Sequence, residues 1–296
     1  MMTKEIRLFF YIAVALIAFA GNSILCRLAL AEGLIDPASF TLLRLVSGAF
    51  TLLLLCLFKL AKSSNGGVKN VWQQGSWWSA LALFLYALGF SYAYVSLGTG
   101  LGALILFGAV QLTLILLAIR AGQRLAGLEW LGLAVAFLSF VYLILPSLQG
   151  ESATAMPLLA VGLMVMAGIA WGAYTWLGKK STSPLFVTTS NFIRTLPMIL
   201  IFIVFIGFEM SVSSLGAIWA ILSGAVMSGL GYALWYALLP QITTTLAAVL
   251  QLLVPVIATI GGVVFASEAV TMHLILASAG VLGGVLMVIL SKRKAA

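Results

Sequence analysis

Ten apolar stretches run through the chain, and nearly every charge falls between them, sorted by sign. They cover about residues 7–27, 37–58, 76–97, 100–119, 129–146, 156–178, 184–206, 215–238, 242–265 and 271–290. Most are about 20 residues long, enough to cross a hydrocarbon core about 30 Å thick as helix. Hydrocarbon offers no partner for a peptide group, so apolar runs of this length satisfy their hydrogen bonds internally, as helices. If the ten weave back and forth, the loops fall alternately on two sides. One side collects Lys4, Arg7, Lys59, Lys62, Lys69, Arg120, Arg124, Lys179, Lys180, Lys292, Arg293 and Lys294. The other collects Glu32, Asp36, Glu151, Glu209 and Glu268, with Arg27 as its one basic residue. Arg44 and Arg194 lie inside spans. A missed or extra helix would scramble this order. The sequence therefore predicts an all-α integral membrane protein of ten transmembrane helices, and the positive-inside rule places both termini in the cytoplasm.

Composition agrees. The chain is 63% hydrophobic and 7% charged, against about 25% charged in soluble domains. The net charge of +8 does not indicate nucleic acid, because the positive residues are spread over short loops and a tail. They mark topology and attract anionic lipid. No loop is long enough to fold separately, so the expected partners are the bilayer and a small-molecule substrate. The first stretch is too long for a signal peptide and runs into Asn22-Ser23-Ile24-Leu25-Cys26-Arg27 without a small-residue cleavage site, which reads as an uncleaved first helix. Cys26 and Cys56 are expected near opposite ends of their spans, too far apart for a disulfide.

The chain repeats itself weakly. Gly21 aligns with Gly172, Arg44 with Arg194, Gly89 with Gly231 and Gln111 with Gln251, at offsets of 151, 150, 142 and 140 residues. This divides it into residues 1–147 and 148–296, five spans each. Five is odd, so the second half enters the membrane inverted. Inverted repeats mark secondary transporters, whose substrate sites lie near the midplane between the halves.

Particular segments carry a family resemblance. Gln123-Arg124-Leu125 precedes Leu131-Gly132-Leu133-Ala134 at the start of the fifth stretch, and Ser267-Glu268-Ala269-Val270-Thr271 leads into Gly280-Val281-Leu282-Gly283-Gly284 in the tenth. With these the whole chain resembles the drug/metabolite transporter superfamily, in its ten-helix branch of the EamA type. It departs from that pattern in having Gln123 where a glutamate is usual. A fourth-helix proline is present as Pro255 but absent around Ile115. The resemblance implies paired five-helix repeats and export or uptake of amino acids, nucleosides or other metabolites. It is nearest to exporters of aromatic amino acids.

Polar groups inside spans are costly and face cavities or neighbouring helices. Gln111 and Gln251 sit near midspan at repeat-related positions, where each bridges helices or meets a ligand. Arg44 lies seven residues beyond Pro37 and Arg194 ten beyond Pro184, about 10 and 15 Å into their spans at the helical rise. Either pairs with a substrate carboxylate or holds backbone carbonyls; Arg44 can also snorkel outward. Asn22, Ser23 and Asn191 are lesser candidates on the same logic. Trp72, Trp77, Trp78, Trp130, Trp176, Trp219 and Trp235 fall near span ends, where an interfacial belt is expected. Trp171 lies about two turns inside its span. Tyr86, Phe90 and Tyr94 form one face of the third span, and Tyr232, Trp235 and Tyr236 a similar face of the eighth. Such stripes are packing surfaces or the walls of an apolar ligand site. The candidate substrate-binding set is Asn22, Arg44, Tyr86, Phe90, Gln111, Trp171, Arg194, Tyr232 and Gln251.

Enzyme signals are missing. His273 is the one histidine and Asp36 the one aspartate, which excludes a histidine metal cluster and an aspartyl dyad. No catalytic residue, metal or cofactor is expected. An intramembrane enzyme or a channel stays as a remote alternative. Gly280-x-x-x-Gly284 marks either a dimer seam or packing within the chain; the second, and hence a monomer, is the expectation. The acidic residues all lie in loops or at span ends, so proton coupling through a midmembrane carboxylate is not expected. The sequence thus reads as a bacterial inner-membrane carrier that exports small organic metabolites by alternating access, with aromatic or hydrophobic amino acids first. Another metabolite, a nucleoside or a drug-like compound is the alternative.

Overall fold

The computed structural model describes residues 4–61, 71, 73–122, 126–149, 157–178, 181, 183–206, 210–238, 241 and 250–291. Glu151, Glu209, Lys62, Lys69, Arg124, Lys179, Lys180, Lys292, Arg293 and Lys294 of the charge pattern, with Gln123 and Trp72, lie outside them. Among the described residues the chain is helical, with no sheet. The helices are α1 (Lys4–Leu30), α2 (Pro37–Ala61), α3 (Trp77–Tyr94), α4 (Thr99–Arg120), α5 (Gly127–Gln149), α6 (Leu158–Gly178) and α7 (Pro184–Ile206). Then come α8, running as Ser214–Leu222, a π-helical stretch Ser223–Leu230 and Gly231–Leu238, followed by α9 (Leu253–Ala266) and α10 (Met272–Ser291). Six stretches are long and apolar enough to cross a membrane: Glu5–Leu30, Pro37–Ala61, Thr99–Arg120, Leu158–Gly178, Pro184–Phe205 and Ser214–Trp235. Gly127–Leu143, Leu253–Ala266 and Met272–Val288 are shorter apolar stretches.

The helix starts follow local chemistry. Pro37 and Pro184 open α2 and α7, where a missing N–H costs nothing. Ser76 and Ser213 cap α3 and α8 by accepting from the amides of Ser79 and Gly216, both at 3.0 Å. Asp36 accepts from Ser39 N at 2.7 Å ahead of α2. At the other end of a helix, Ser267 closes α9 in the left-handed conformation (φ 52°), and Glu268 N bonds the Gly262 carbonyl at 3.1 Å.

Apolar side chains face both inward and outward. Phe9, Phe50, Phe58, Leu159, Val204 and Phe205 are exposed on the outside, as expected where the solvent is lipid tail. In the middle, α1 packs against α8 and α9, α6 against α3 and α4, α2 against α7 and α8, and α3 against α7. α4 meets α9, and α5 pairs with α10. That last contact depends on small residues. A Cβ on Gly132 would stand 2.7 Å from the Gly284 carbonyl, and one on Gly284 would stand 2.6 Å from Ala136 N. The Gly280–Gly284 stripe is therefore covered by α5 of the same chain. Gly284→Val should overpack this contact by about 1–3 kcal/mol and lower the melting temperature of the purified protein. An unchanged melting temperature with an altered oligomeric state would instead identify the stripe as an intermolecular seam.

Candidate functional site

Where α1, α3, α4, α6 and α8 converge, the interior holds a cavity of about 20 Å3. Asn22, Ser23 and Phe19 reach it from α1, Tyr86 and Phe90 from α3, Leu106 and Phe107 from α4, Trp171 from α6 and Tyr232 from α8. Five predicted site residues thus meet around one space: Asn22, Tyr86, Phe90, Trp171 and Tyr232. The rings form a continuous box. Trp171 lies 4.8 Å from Tyr86, 5.1 Å from Tyr232 and 5.4 Å from Tyr174, centroid to centroid. Phe19 meets Tyr232 edge-on at 5.8 Å. The space accommodates about one water, against roughly 300–1,000 Å3 for ordinary ligand pockets. The box is nearly filled by its own side chains.

Arg44 stands immediately behind the Tyr86 and Phe90 rings. It is 2% exposed, so it does not snorkel outward. Its guanidinium carbon lies 4.7 Å from the Phe90 centroid and 5.2 Å from that of Tyr86. Nη2 donates to the Tyr86 hydroxyl at 2.8 Å and Nε to Ser228 Oγ at 3.4 Å. Among the described residues Nη1 is buried without a partner, and no carboxylate pairs with the charge. Cation–π contacts contribute about 1–2 kcal/mol when desolvated, well short of an ion's desolvation penalty of several kcal/mol. Among the described residues, therefore, the buried positive charge has no anion beside it.

The remaining predicted residues lie elsewhere. Arg194 holds the connector into α3: Nη1 donates to the Gln74 carbonyl at 2.8 Å and to Ser190 Oγ, and Trp77 lies under the guanidinium. Asn191 works beside it, accepting from Ser76 N at 3.1 Å. Both serve the backbone role, because a connector reaching this depth needs donors that lipid cannot supply. Gln111 is buried one turn beyond Phe107, off the cavity wall, and half-buried Gln251 lies before α9. Trp77, Trp78 and Trp130 are exposed as a belt requires, but Trp235 is 6% exposed and meets Phe19 edge-on at 5.5 Å. It belongs to the core beside the box. The Tyr236 side chain lies outside the description.

A second cavity, of about 510 Å3, opens one turn further along α1, between α4, α9 and α10. Arg27 and Glu268 sit at its edge and join at 3.2 Å. Glu268 accepts from Thr99 N at 2.8 Å and Thr99 Oγ1 at 3.1 Å, while Arg27 Nη1 donates to the Tyr94 and Val95 carbonyls at 3.2 and 3.1 Å. This knot ties the ends of α1 and α3, the start of α4 and the α9–α10 turn together on the wall of the second cavity. Its partners stand 241 residues apart, and nothing in the sequence paired them.

The comparisons fit this geometry. The EamA-like transporter family model matches residues 158–290. An uncharacterized protein of Pseudomonas aeruginosa is 42% identical over 275 residues, 93% of this chain and 92% of that one. A probable amino-acid metabolite efflux pump of Escherichia coli K12 is 26% identical over 185 residues, 58% of this chain and 61% of the relative. A protein crystal structure shares the fold at TM-score 0.62 and 19% identity, over 96% of this chain and 98% of that one. The chain belongs to the EamA-like transporter family of the drug/metabolite transporter superfamily, and it is a membrane transporter.

Proposed function

We propose that the protein exports amino acids with aromatic or other hydrophobic side chains across the bacterial inner membrane, with both termini in the cytoplasm. In this reading it is a ten-span carrier of two inverted halves, residues 1–147 and 148–296, alternating access about the central box. The observation that carries the substrate class is Arg44, a buried cation with no carboxylate partner among the described residues, set against the Tyr86 and Phe90 rings of the aromatic box. An aromatic amino acid supplies both missing parts, a carboxylate for the charge and a ring for the box. Asn22, Tyr86, Phe90, Trp171 and Tyr232 complete the site, with Gln111 a turn further along α4. The printed name of the Escherichia coli relative points the same way. A nucleobase would also stack in the box, but it would leave Arg44 without an anion.

Packing supports the inverted repeat. If α1–α5 correspond in order to α6–α10, the contacts of α1 with α8 and α9 have counterparts in those of α6 with α3 and α4. The contact of α2 with α8 has its counterpart in that of α7 with α3. The pairs α2–α7, α4–α9 and α5–α10 map onto themselves, while the smaller contacts of α1 with α3 and α4 and of α4 with α10 have no counterpart of similar extent among the described residues. In this scheme the Arg27–Glu268 knot closes the outer side. Among the described residues the cavity wall carries no carboxylate or imidazole, so exchange or facilitated transport is expected, with flux set by the substrate gradient. Efflux from preloaded vesicles tests both points. Tryptophan, phenylalanine and leucine should leave faster than aspartate, lysine or uridine, and a pH gradient alone should accumulate none of them. Preferred efflux of uridine would reject the substrate class. Accumulation driven by pH and lost in Glu268→Gln would reject the uncoupled scheme.

A further inference from the structure

The π-helical part of α8 puts two serines on Asn22. Ser223 Oγ donates to Asn22 Oδ1 at 2.8 Å and Ser228 Oγ donates to the same oxygen at 3.2 Å. All three side chains are buried, at 2% exposure or less. Ser228 Oγ also accepts from Arg44 Nε at 3.4 Å. Guanidinium nitrogens only donate, so Ser228 accepts from Arg44 and keeps its own hydroxyl hydrogen for Asn22. With both serines donating to it, the Asn22 oxygen faces α8. The NH2 is then the remaining edge of a side chain that lines the cavity. A π turn widens the helix by one residue and is frequent at functional positions. Here it lets Ser223 and Ser228 reach one acceptor, while Gly224 brings α8 against the backbone of α2 at Arg44.

We infer that Asn22 and Arg44 form a carboxylate receptor whose polarity is held by Ser223 and Ser228. Asn22 Nδ2 donates to one carboxylate oxygen. The unpartnered Nη1 of Arg44 donates to the other once the Tyr86 and Phe90 rings part around the ligand. The ligand class is a monoanionic carboxylate on an aromatic or apolar body. The inference deepens the proposed reading and rests on its assignment of the central cavity as the substrate site. Ser223 and Ser228 are positioning residues, acting through the amide.

The test compares three ligands of one ring system in purified, reconstituted protein: tryptophan, indole-3-propionate (the acid without the amine) and tryptamine (the amine without the acid). Binding is read directly by thermal shift and by competition against labelled tryptophan. In the wild type, tryptophan and indole-3-propionate should bind about tenfold or more tighter than tryptamine, since hydrogen bonds to a charged group are worth about 1.5–3 kcal/mol. Asn22→Asp keeps an acceptor for the two serines and replaces the NH2 with a second oxygen. It should cancel or reverse that ratio. Ser228→Ala, a milder change, should narrow it. A ratio unchanged in both variants would overturn the inference. Should Asn22→Asp fail to fold, the ratio in Ser228→Ala and Ser223→Ala decides. Acids binding to wild type without transport would sink the export reading but not the receptor. Tryptamine binding as well as the acids would sink the receptor even if tryptophan were exported.

Discussion

Arg44→Met should lower transport of aromatic amino acids by a factor on the order of 100 to 1,000, the loss expected when one partner of a desolvated charge pair is removed at about 3–4 kcal/mol. The same variant should fold, and its melting temperature without substrate should be unchanged or higher. The two expectations come from one fact. In the closed conformation the charge is buried without a carboxylate and with one nitrogen unbonded. Methionine has similar length, removes the buried ion and forfeits the bonds to Tyr86 and Ser228. Replacing buried ionic groups by apolar ones of similar volume is often neutral or stabilising by about 1–4 kcal/mol. A structural arginine would behave differently. Its loss would lower stability and transport together, as expected for Arg194, whose guanidinium holds the Gln74 carbonyl. Measuring melting temperature and transport rate on the same preparation separates the two roles.

Trp171→Ala should weaken binding of aromatic amino acids by a factor of about 10 to 100, drawing on lost stacking of about 0.5–1.5 kcal/mol per ring pair and on lost area. The indole touches Tyr86, Tyr174 and Tyr232, so its removal opens the box on three sides. Leucine should lose much less affinity than tryptophan, because it gains little from stacking. Truncation also enlarges the cavity; because Trp171 is half-buried, its stability cost should stay below the roughly 3–5 kcal/mol of a fully buried tryptophan. Equal loss for leucine and tryptophan would reduce Trp171 to packing. Competition curves for the two amino acids against a common labelled substrate make the comparison.

The candidate site was legible in the sequence where a residue's chemistry was out of place. An arginine about 10 Å into a span, an asparagine in the first span and a tryptophan two turns from an interface all violate the composition of their surroundings; Asn22 and Trp171 line the central cavity, and Arg44 stands behind its Tyr86 and Phe90 wall. Depth does not give rotation about the helix axis, however. Arg194 and Gln251 are as anomalous as Arg44, yet Arg194 faces the α2–α3 connector and Gln251 lies off the cavity wall. Trp235 lies near a span end but turns into the core. Phe19, Leu106 and Phe107 carried no signal, because an apolar residue in an apolar span looks the same whether it faces lipid or ligand. Ser223 and Ser228 read as small packing residues. Only the change of helical pitch between them and the oxygen of Asn22 reveals their direction. The Arg27–Glu268 knot joins residues that the loops bring together from opposite ends of the chain, and one sequence alone holds no trace of such a pairing.

The central claim is that this box, closed here to about 20 Å3, opens around an aromatic amino acid and carries it through. Counterflow measures that directly. Vesicles holding the wild-type protein are loaded with unlabelled tryptophan and diluted into a trace of labelled tryptophan. The account predicts rapid, saturable entry of label, transient accumulation, and neither in Arg44→Met vesicles with the same amount of folded protein. Entry that does not saturate, or that proceeds equally well in Arg44→Met, would contradict it.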